Sequence, residues 1–297
     1  MSDLRDMQLL AALARHGHFA RAAEECGISQ PAFSARIRNL ELQIGAPVVR
    51  RGNRFQGFTR EGEIVLRWAR RMLADADGMA QEIAEAKGHL SGRLAIGAVP
   101  TAISFAARAP VKLHEHHPGL TVQLFSMSSS EIRQGLEAFS LDAGLTYLDT
   151  ELPAGAKAEA LYPERYVLLC PEALAPRTEG QITWAEAAAL PLCLLTRNMR
   201  NRRILDEAFA AAGAVPEPVM EANAFTAALI QVALGLAATI APETLANSLP
   251  HAAGGIRLML ADPVVEKPIG LVIADRDPVP PALRALAEVM RTLDRPI

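Results

Sequence analysis

The sequence predicts an α/β chain in three parts: an all-α N-terminal head with a winged helix-turn-helix, a long linker helix, and a C-terminal α/β body of two lobes. Three observations carry that expectation. Between Phe19 and Gly62, two short helical patterns flank a glycine-containing turn and are followed by a basic hairpin. From Glu61 to Lys87, apolar residues recur at alternating spacings of three and four. Beyond the break at GHLSG, residues 88–92, strand-like and helix-like stretches alternate to the end of the chain.

Leu4 to Ala14, with Leu4, Met7, Leu10 and Leu13 on one face, reads as the first helix of a three-helix core. Phe19 to Glu25 is a short alanine-rich helix, and Cys26-Gly27-Ile28 fits the turn that follows it. Ser29 is an N-cap, and Pro31 is tolerated in a first helical turn, so a helix starts at about Gln30. Phe33, Ile37, Leu40 and Ile44 form its buried stripe, and Gly45 ends it in a left-handed cap. Gln30, Ser34 and Arg38 fall on a neighbouring polar face, with Arg36 beside them. In a helix-turn-helix the second helix lies in the major groove with its N-terminal residues at base edges. Gln suits adenine, Arg suits guanine, and Ser reaches bases or phosphate. After Gly45, two short apolar pieces around Asn53 carry Arg50, Arg51 and Arg54, a wing whose arginines would neutralise phosphates.

The run SQPAFSARIRNLELQIG, followed by VVRRGNR and FTREG, resembles the N-terminal domain of LysR-type transcriptional regulators, whose pattern is SQPAxSxxIxxLExxLG, LFxR and LTxxG. The sequence departs from it at Val48 and Val49, where Leu-Phe is usual, and at Phe58, where Leu is usual; each change is apolar for apolar. The resemblance implies a sequence-specific DNA-binding regulator of promoters. Its DNA-facing residues would be Gln30, Pro31, Ser34, Arg36, Arg38, Arg50, Arg51 and Arg54.

Charge distribution agrees with that reading although net charge alone, −3, does not. Up to Arg71 there are twelve arginines against seven acids, a balance of +5, and the remainder carries 18 bases against 26 acids, a balance of −8. A basic head on an acidic body is the electrostatic footprint of a DNA-binding module joined to something that avoids DNA.

In the linker, Leu66, Ala69, Leu73, Ala76, Ala80 and Ile83 read as a coiled-coil seam with small Ala at alternate positions. The seam is longer than a small winged domain can cover, and two half-sites need two heads, so it is assigned to dimerisation. The family resemblance implies the same pairing, with tetramers as the larger assembly and RNA polymerase as a further candidate partner.

In the body, strands are predicted at Arg93 to Val99, Leu120 to Met127, Leu141 to Leu148, Arg165 to Cys170, Leu192 to Leu195, Pro218 to Glu221, Leu236 to Ile240, Ile256 to Leu260 and Lys267 to Ala274. Helices are predicted at Ala102 to His116, Ser130 to Phe139, Arg200 to Ala212, Ala224 to Leu234 and Pro281 to Leu293. Alternating βαβ units imply parallel sheets covered by helices, in two lobes joined by crossing strands. The arrangement resembles the effector-binding domain of LysR-type proteins, which is similar to periplasmic binding proteins; GAVPTA, LDAGLTYL and GLAATIAP carry the local likeness. The expected division is 1–62 for the head, 63–88 for the linker and 89–297 for the body. Lobe 1 takes about 93–161 and 265–297, and lobe 2 about 162–264.

Ligands of open α/β sheets sit outside the carboxyl ends of strands, where helix starts offer free N–H groups. The hydroxyl-rich turns there are Pro100, Thr101 and Ser104; Ser128 and Ser129; and Thr146. Thr196, and Asn223 with Phe225, are their counterparts in the second lobe. Such turns suit a small anion or carboxylate; each hydroxyl taken alone also reads as a helix cap, and the resemblance is what groups them around an interlobe cleft. Arg197, Arg200, Arg202 and Arg203 offer counter-charge but read as a solvated helix start.

Other classes are excluded by what the sequence lacks. No GxSxG, GK[ST], HExxH or strand-then-GxGxxG motif is present, so neither an enzyme nor a bound cofactor is expected. His114–Pro118, HEHHP, has no carboxylate or Cys spaced to complete a metal site, and Cys26, Cys170 and Cys193 are scattered without paired spacing. No stretch is long and apolar enough to span a membrane, and the N-terminus lacks a secretion signal, so the expected location is the cytoplasm.

Overall fold

The computed structural model describes residues 3–50, 52, 55–248, 255–274 and 276–293. The head consists of α1 (Leu4–His16), α2 (Phe19–Glu25) and α3 (Gln30–Ile44), followed by the long α4 (Arg60–Ala86). Local signals set these limits. Asp3 and Asp6 form a reciprocal capping box at the start of α1. Ser29 Oγ accepts the Ala32 N–H at 3.4 Å, and Gly45 closes α3 at φ 77°. Leu9, Leu10, Leu13, Phe33, Ile37 and Leu40 fill the core between the three helices. Ile44, expected on the buried stripe, is 37% exposed, because the last turn of α3 runs past the edge of that core. The wing is held by an antiparallel bridge between Val49 and Phe58, and Thr59 Oγ1 caps α4 at Gly62 N–H. Gly62 is required there: a Cβ would stand 1.9 Å from the Val48 carbonyl oxygen.

The first half of the expected seam of α4 is corrected by its burial, while Ala80 and Ile83 of its second half are exposed. Leu66 and Ala69 are buried in the head's own core, with Leu73 packed beside them. The large apolar residues left exposed are Ile64, Trp68, Met72, Met79 and Ile83, which lie on an adjacent face of the same helix.

Lobe 1 contains β1 (Ser91–Ala98), α5 (Ile103–Ala106), α6 (Ala109–His116), β2 (Gly119–Ser126), α7 (Ser129–Glu137), β3 (Ala143–Tyr147) and β4 (Lys157–Glu164). Lobe 2 follows with β5 (Tyr166–Cys170), β6 (Gln181–Thr183), α8 (Trp184–Ala188), β7 (Cys193–Leu195), α9 (Arg200–Ala211), β8 (Met220–Ala222), α10 (Phe225–Ala233), β9 (Thr239–Pro242), α11 (Glu243–Ser248) and β10 (Ile256–Ala261). The chain returns to lobe 1 with β11 (Lys267–Ile273) and α12 (Pro281–Thr292). The single helix expected over residues 102–116 is two, because Pro110 sits in the first turn of α6 and starts a new helix there.

The sheets are mixed, where wholly parallel ones were expected. In lobe 1 the order is β2-β1-β3-β11-β4; β1 is parallel to both neighbours, and β11 is antiparallel to β3 and β4. In lobe 2 the order is β6-β10-β5-β9, with only the β10–β6 pair parallel, and β7 and β8 form a separate parallel pair. The reason is the double crossing. The chain leaves lobe 1 through β4, turns at Arg165 into β5 and comes back as β11, and a returning strand beside an outgoing one is antiparallel. Strand β4 falls on the first of the two expected crossings between the lobes; β6, α8 and α11 have no counterpart among the elements the sequence predicts.

Helix α4 also docks on lobe 1. The buried Gln81 accepts the Ala282 N–H at 3.2 Å through Oε1, and Glu85 pairs with Arg284 at 2.7 Å. The same helix therefore contacts the head at one end and lobe 1 at the other.

Candidate functional site

Two regions bring functional side chains together. On the head, Gln30, Pro31 and Arg38 are exposed and Ser34 is half-buried, all on the open face of α3. Arg38 Nε donates to the Ser34 carbonyl at 3.4 Å, which lays its guanidinium along the helix surface. A groove of about 210 Å³ separates this face from the wing, between Arg38 on one side and Arg50 on the other. Arg36 departs from its expected role. Its Nε donates to Asp6 Oδ1 at 2.8 Å and its Nη2 to both Asp3 oxygens at 2.9 Å, tying α3 to α1. Arg51 and Arg54, expected in the wing, lie outside the described residues. Sequence reasoning missed Glu41, a buried carboxylate whose Oε1 accepts the Val48 and Val49 N–H groups at 2.9 and 3.3 Å and so fixes the wing to α3.

The second region is the cleft between the lobes. Pro100, Thr101, Ser128 and Ser129 line it from lobe 1, at the ends of β1 and β2. Met199, Arg200 and Asn201 face them from lobe 2, at the start of α9. Ser128 caps α7 in a box with Glu131, and hydrogen bonding to Ser128 keeps the Glu131 carboxyl below its usual range. Thr146 Oγ1 donates to Ser129 Oγ at 3.0 Å, holding that hydroxyl from beneath. Thr101 is fully buried and shares a 3.1 Å hydrogen bond with Tyr147 Oη. Tyr147 and Tyr166 donate to Glu164 Oε1 at 2.8 and 2.6 Å. Burial pushes the Glu164 carboxyl up to about 7, with the tyrosine bonds pulling the other way, and pushes both tyrosine hydroxyls well above their usual range. Glu164 ends β4, so this buried network sits on the crossing between lobes.

Four of the expected cleft residues are not among those lining this narrow space. Ser104 Oγ is buried within α5 without a hydrogen-bond partner among the described residues. Thr196 Oγ1 donates to Asn198 Oδ1 at 2.7 Å, within its own loop. Asn223 is exposed, and Phe225 belongs to the apolar core of lobe 2 with Val167 and Leu169. Arg200 and Asn201, in contrast, are cleft residues. Arg200 Nη2 reaches across to Asp149 Oδ2 at 3.1 Å, and Asp149 also pairs with Lys267 at 3.2 Å. Asn201 is 3% exposed, and neither amide atom has a hydrogen-bond partner among the described residues. Nor is Arg202 solvated: it is buried and donates to the Leu195 carbonyl, Asp206 and Glu221, which pins α9 against β7 and β8.

No group of three metal-ligating side chains occurs among the described residues. Cys170 and Cys193 are buried, Cys26 is half-buried in the head's turn, and desolvation raises all three thiols. No helix among the described residues is long and apolar enough to cross a membrane.

A helix-turn-helix head carried on a two-lobed α/β body defines a DNA-binding regulator with an effector domain. Residues 4–63 match the bacterial regulatory helix-turn-helix protein, lysR family, and residues 87–295 match the LysR substrate binding domain. The chain belongs to the LysR family of transcriptional regulators and is not an enzyme. It is 30% identical over 294 residues to the HTH-type transcriptional regulator IlvR of Caulobacter vibrioides, covering 97% of each chain. It is 28% identical over 294 residues to the DNA-binding transcriptional dual regulator OxyR of Escherichia coli K12, covering 97% of this chain and 95% of that one. In fold it is similar to full-length OxyR from Pseudomonas aeruginosa, with a TM-score of 0.78, 23% identity and coverage of 99% and 96%. It is also similar to full-length CbnR complexed with its target DNA, with a TM-score of 0.69, 24% identity and coverage of 98% and 99%.

Proposed function

We propose that this regulator reads a promoter through Gln30, Ser34 and Arg38, seats itself on phosphates through Arg50 and the wing arginines, and is switched by a small anion or carboxylate held between the lobes. The observation that carries the switching half is the convergence of Arg200 and Asn201 on the Ser128–Ser129 helix start across a narrow cleft. Free N–H groups, hydroxyls and a guanidinium converging on one small space favour a compact negative charge. A ligand that binds one arrangement of the lobes better than another shifts the population toward it. A second copy would pair through the exposed stripe Trp68, Met72 and Met79, which supplies the two heads that two half-sites require.

The test is a thermal-shift series on the full chain with formate, acetate, benzoate, sulfate and phosphate, followed by promoter footprinting with and without the anion that stabilises. An anion that raises the melting temperature and alters the footprint supports the reading; hydrogen peroxide acting alone would replace it. Peroxide enters because relatives carry the name hydrogen peroxide-inducible genes activator. It is disfavoured here because thiol sensing needs an accessible, low-pKa thiol, and the thiols of this chain are buried or half-buried and shifted upward.

A further inference from the structure

Arg200, which lines the cleft, already holds a carboxylate of the protein's own. Asp149 follows β3 in lobe 1, lies between Lys267 on its own side and Arg200 on the other, and is the acidic partner that Arg200 reaches across the cleft. Arg200 Nη1 also pairs with Glu207 on its own helix at 3.4 Å, yet the guanidinium is not saturated: its Nε is buried and has no hydrogen-bond partner among the described residues. Next along α9, Asn201 presents both an amide donor and an amide acceptor, buried in the cleft lining and without a partner among the described residues. Leaving both atoms of a buried amide unpaired is costly, and such groups in native proteins call for an explanation. The free space between the closed lobes is on the scale of a water molecule, so a bulky occupant does not fit this arrangement.

We infer that Asp149 is an internal stand-in for the effector, and that the effector is a short hydroxycarboxylate whose carboxylate displaces Asp149 from Arg200 while its hydroxyl pairs with Asn201. This rests on the cleft being the effector site. A carboxylate matches the place Asp149 vacates. A hydroxyl on the same ligand can both donate to Asn201 Oδ1 and accept from Asn201 Nδ2, taking the place that a water would otherwise fill. The Asp149–Arg200 pair is partly open to solvent and so weak enough for a ligand to replace. Parting it removes one tie between the lobes, which gives binding a direct effect on their relative arrangement.

The experiment compares two pairs of acids that differ only by a hydroxyl, glycolate with acetate and lactate with propionate, by calorimetric titration and thermal shift on the full chain. The proteins are wild type, Asp149→Asn and Asn201→Ala, with ligand-free melting curves as folding controls. Glycolate and lactate are expected to bind wild type more tightly than their partners. Asp149→Asn is expected to tighten every acid by about fivefold, the scale of one exposed charge pair. Asn201→Ala is expected to erase the preference for the hydroxyl while leaving acetate unchanged. Equal or weaker binding to Asp149→Asn, or a hydroxyl preference missing in wild type, overturns the inference, and the Asp149 arm decides it even where Asn201→Ala fails to fold. Binding of sulfate or phosphate alone overturns it while leaving the cleft an anion site. No anion binding to wild type or to Asp149→Asn removes the cleft reading as well.

Discussion

Glu41 Oε1 accepts the Val48 N–H at 2.9 Å inside the head, so α3, the second helix of the helix-turn-helix, and the wing beside it share one buried carboxylate. Replacing Glu41 by Ala leaves two buried amides without their acceptor, at a cost of about 2 kcal/mol. The head should unfold at lower temperature and DNA affinity should fall with it. Glu41→Gln, which keeps a carbonyl acceptor, should recover most of both; a Glu41→Ala protein that melts and binds like wild type would contradict the coupling.

Arg36 and Arg38 are two residues apart and should behave differently. Arg36→Ala severs ties to Asp3 and Asp6 that are partly solvent-exposed, so a stability loss within about 1 kcal/mol is expected, with base preference intact. Arg38→Ala should relax discrimination at one position of the site by about 1–3 kcal/mol, and Arg50→Ala should weaken all sequences evenly and lower the salt slope by about 1. Binding measured across a panel of single-base variants at several salt concentrations separates the three.

Trp68 is 55% exposed in the single chain, and Met72 and Met79 continue its stripe. Trp68→Glu should convert the assembly to smaller species in light scattering and reduce affinity for a two-half-site duplex. The melting temperature of the isolated chain should change little, because the side chain is 55% exposed and its ring meets the guanidinium of Arg71 on the same helix, 5.8 Å away, outside the head's core. Leu66→Glu should instead unfold the head, since Leu66 lies in its core.

The Glu164 carboxyl, raised by burial from 4.5 to about 7, makes the folded chain bind its proton more tightly than the unfolded chain does. That contribution is fully present below 4.5, declines as pH rises to about 7 and is absent above, a loss of up to about 3 kcal/mol. Glu25, Glu131 and Glu159 are shifted the other way, and their contribution disappears below the ordinary carboxylate range instead. Chemical denaturation of wild type and Glu164→Gln across pH 5 to 8 should give a slope for the first that the second lacks.

How much of this was legible in the sequence depended on the range of the interaction. Ser29, Pro31 and Gly45 act on backbone a few residues away, so the limits of α3 could be read directly. Periodicity showed that α4 is amphipathic but not where its zero of rotation lies. Leu66 and Ala69 were read as facing a partner because nothing local says that the head's core extends under them. In the cleft, Ser128 and Thr101 were recognisable as helix-start hydroxyls. Phe225, also at a helix start, lies in the lobe 2 core, whereas Arg200, which reads as part of a solvated helix start, meets Ser129 across the gap together with Asn201, which no local signal singles out. Which turns converge is fixed by the double crossing of strands, and the crossing strand β4 carried no clear pattern of its own.

Helix α4 spans Arg60–Ala86, a rod of about 40 Å. Gln81 and Glu85 grip lobe 1 near one end while Leu66 and Ala69 are built into the head at the other. Its geometry is that of a long lever with a short input arm. A tilt of roughly 5° at the lobe carries the head roughly 3.5 Å, about the rise of one base step along a DNA strand. A rearrangement of that size where Gln81 meets lobe 1 would shift the head by about one base step.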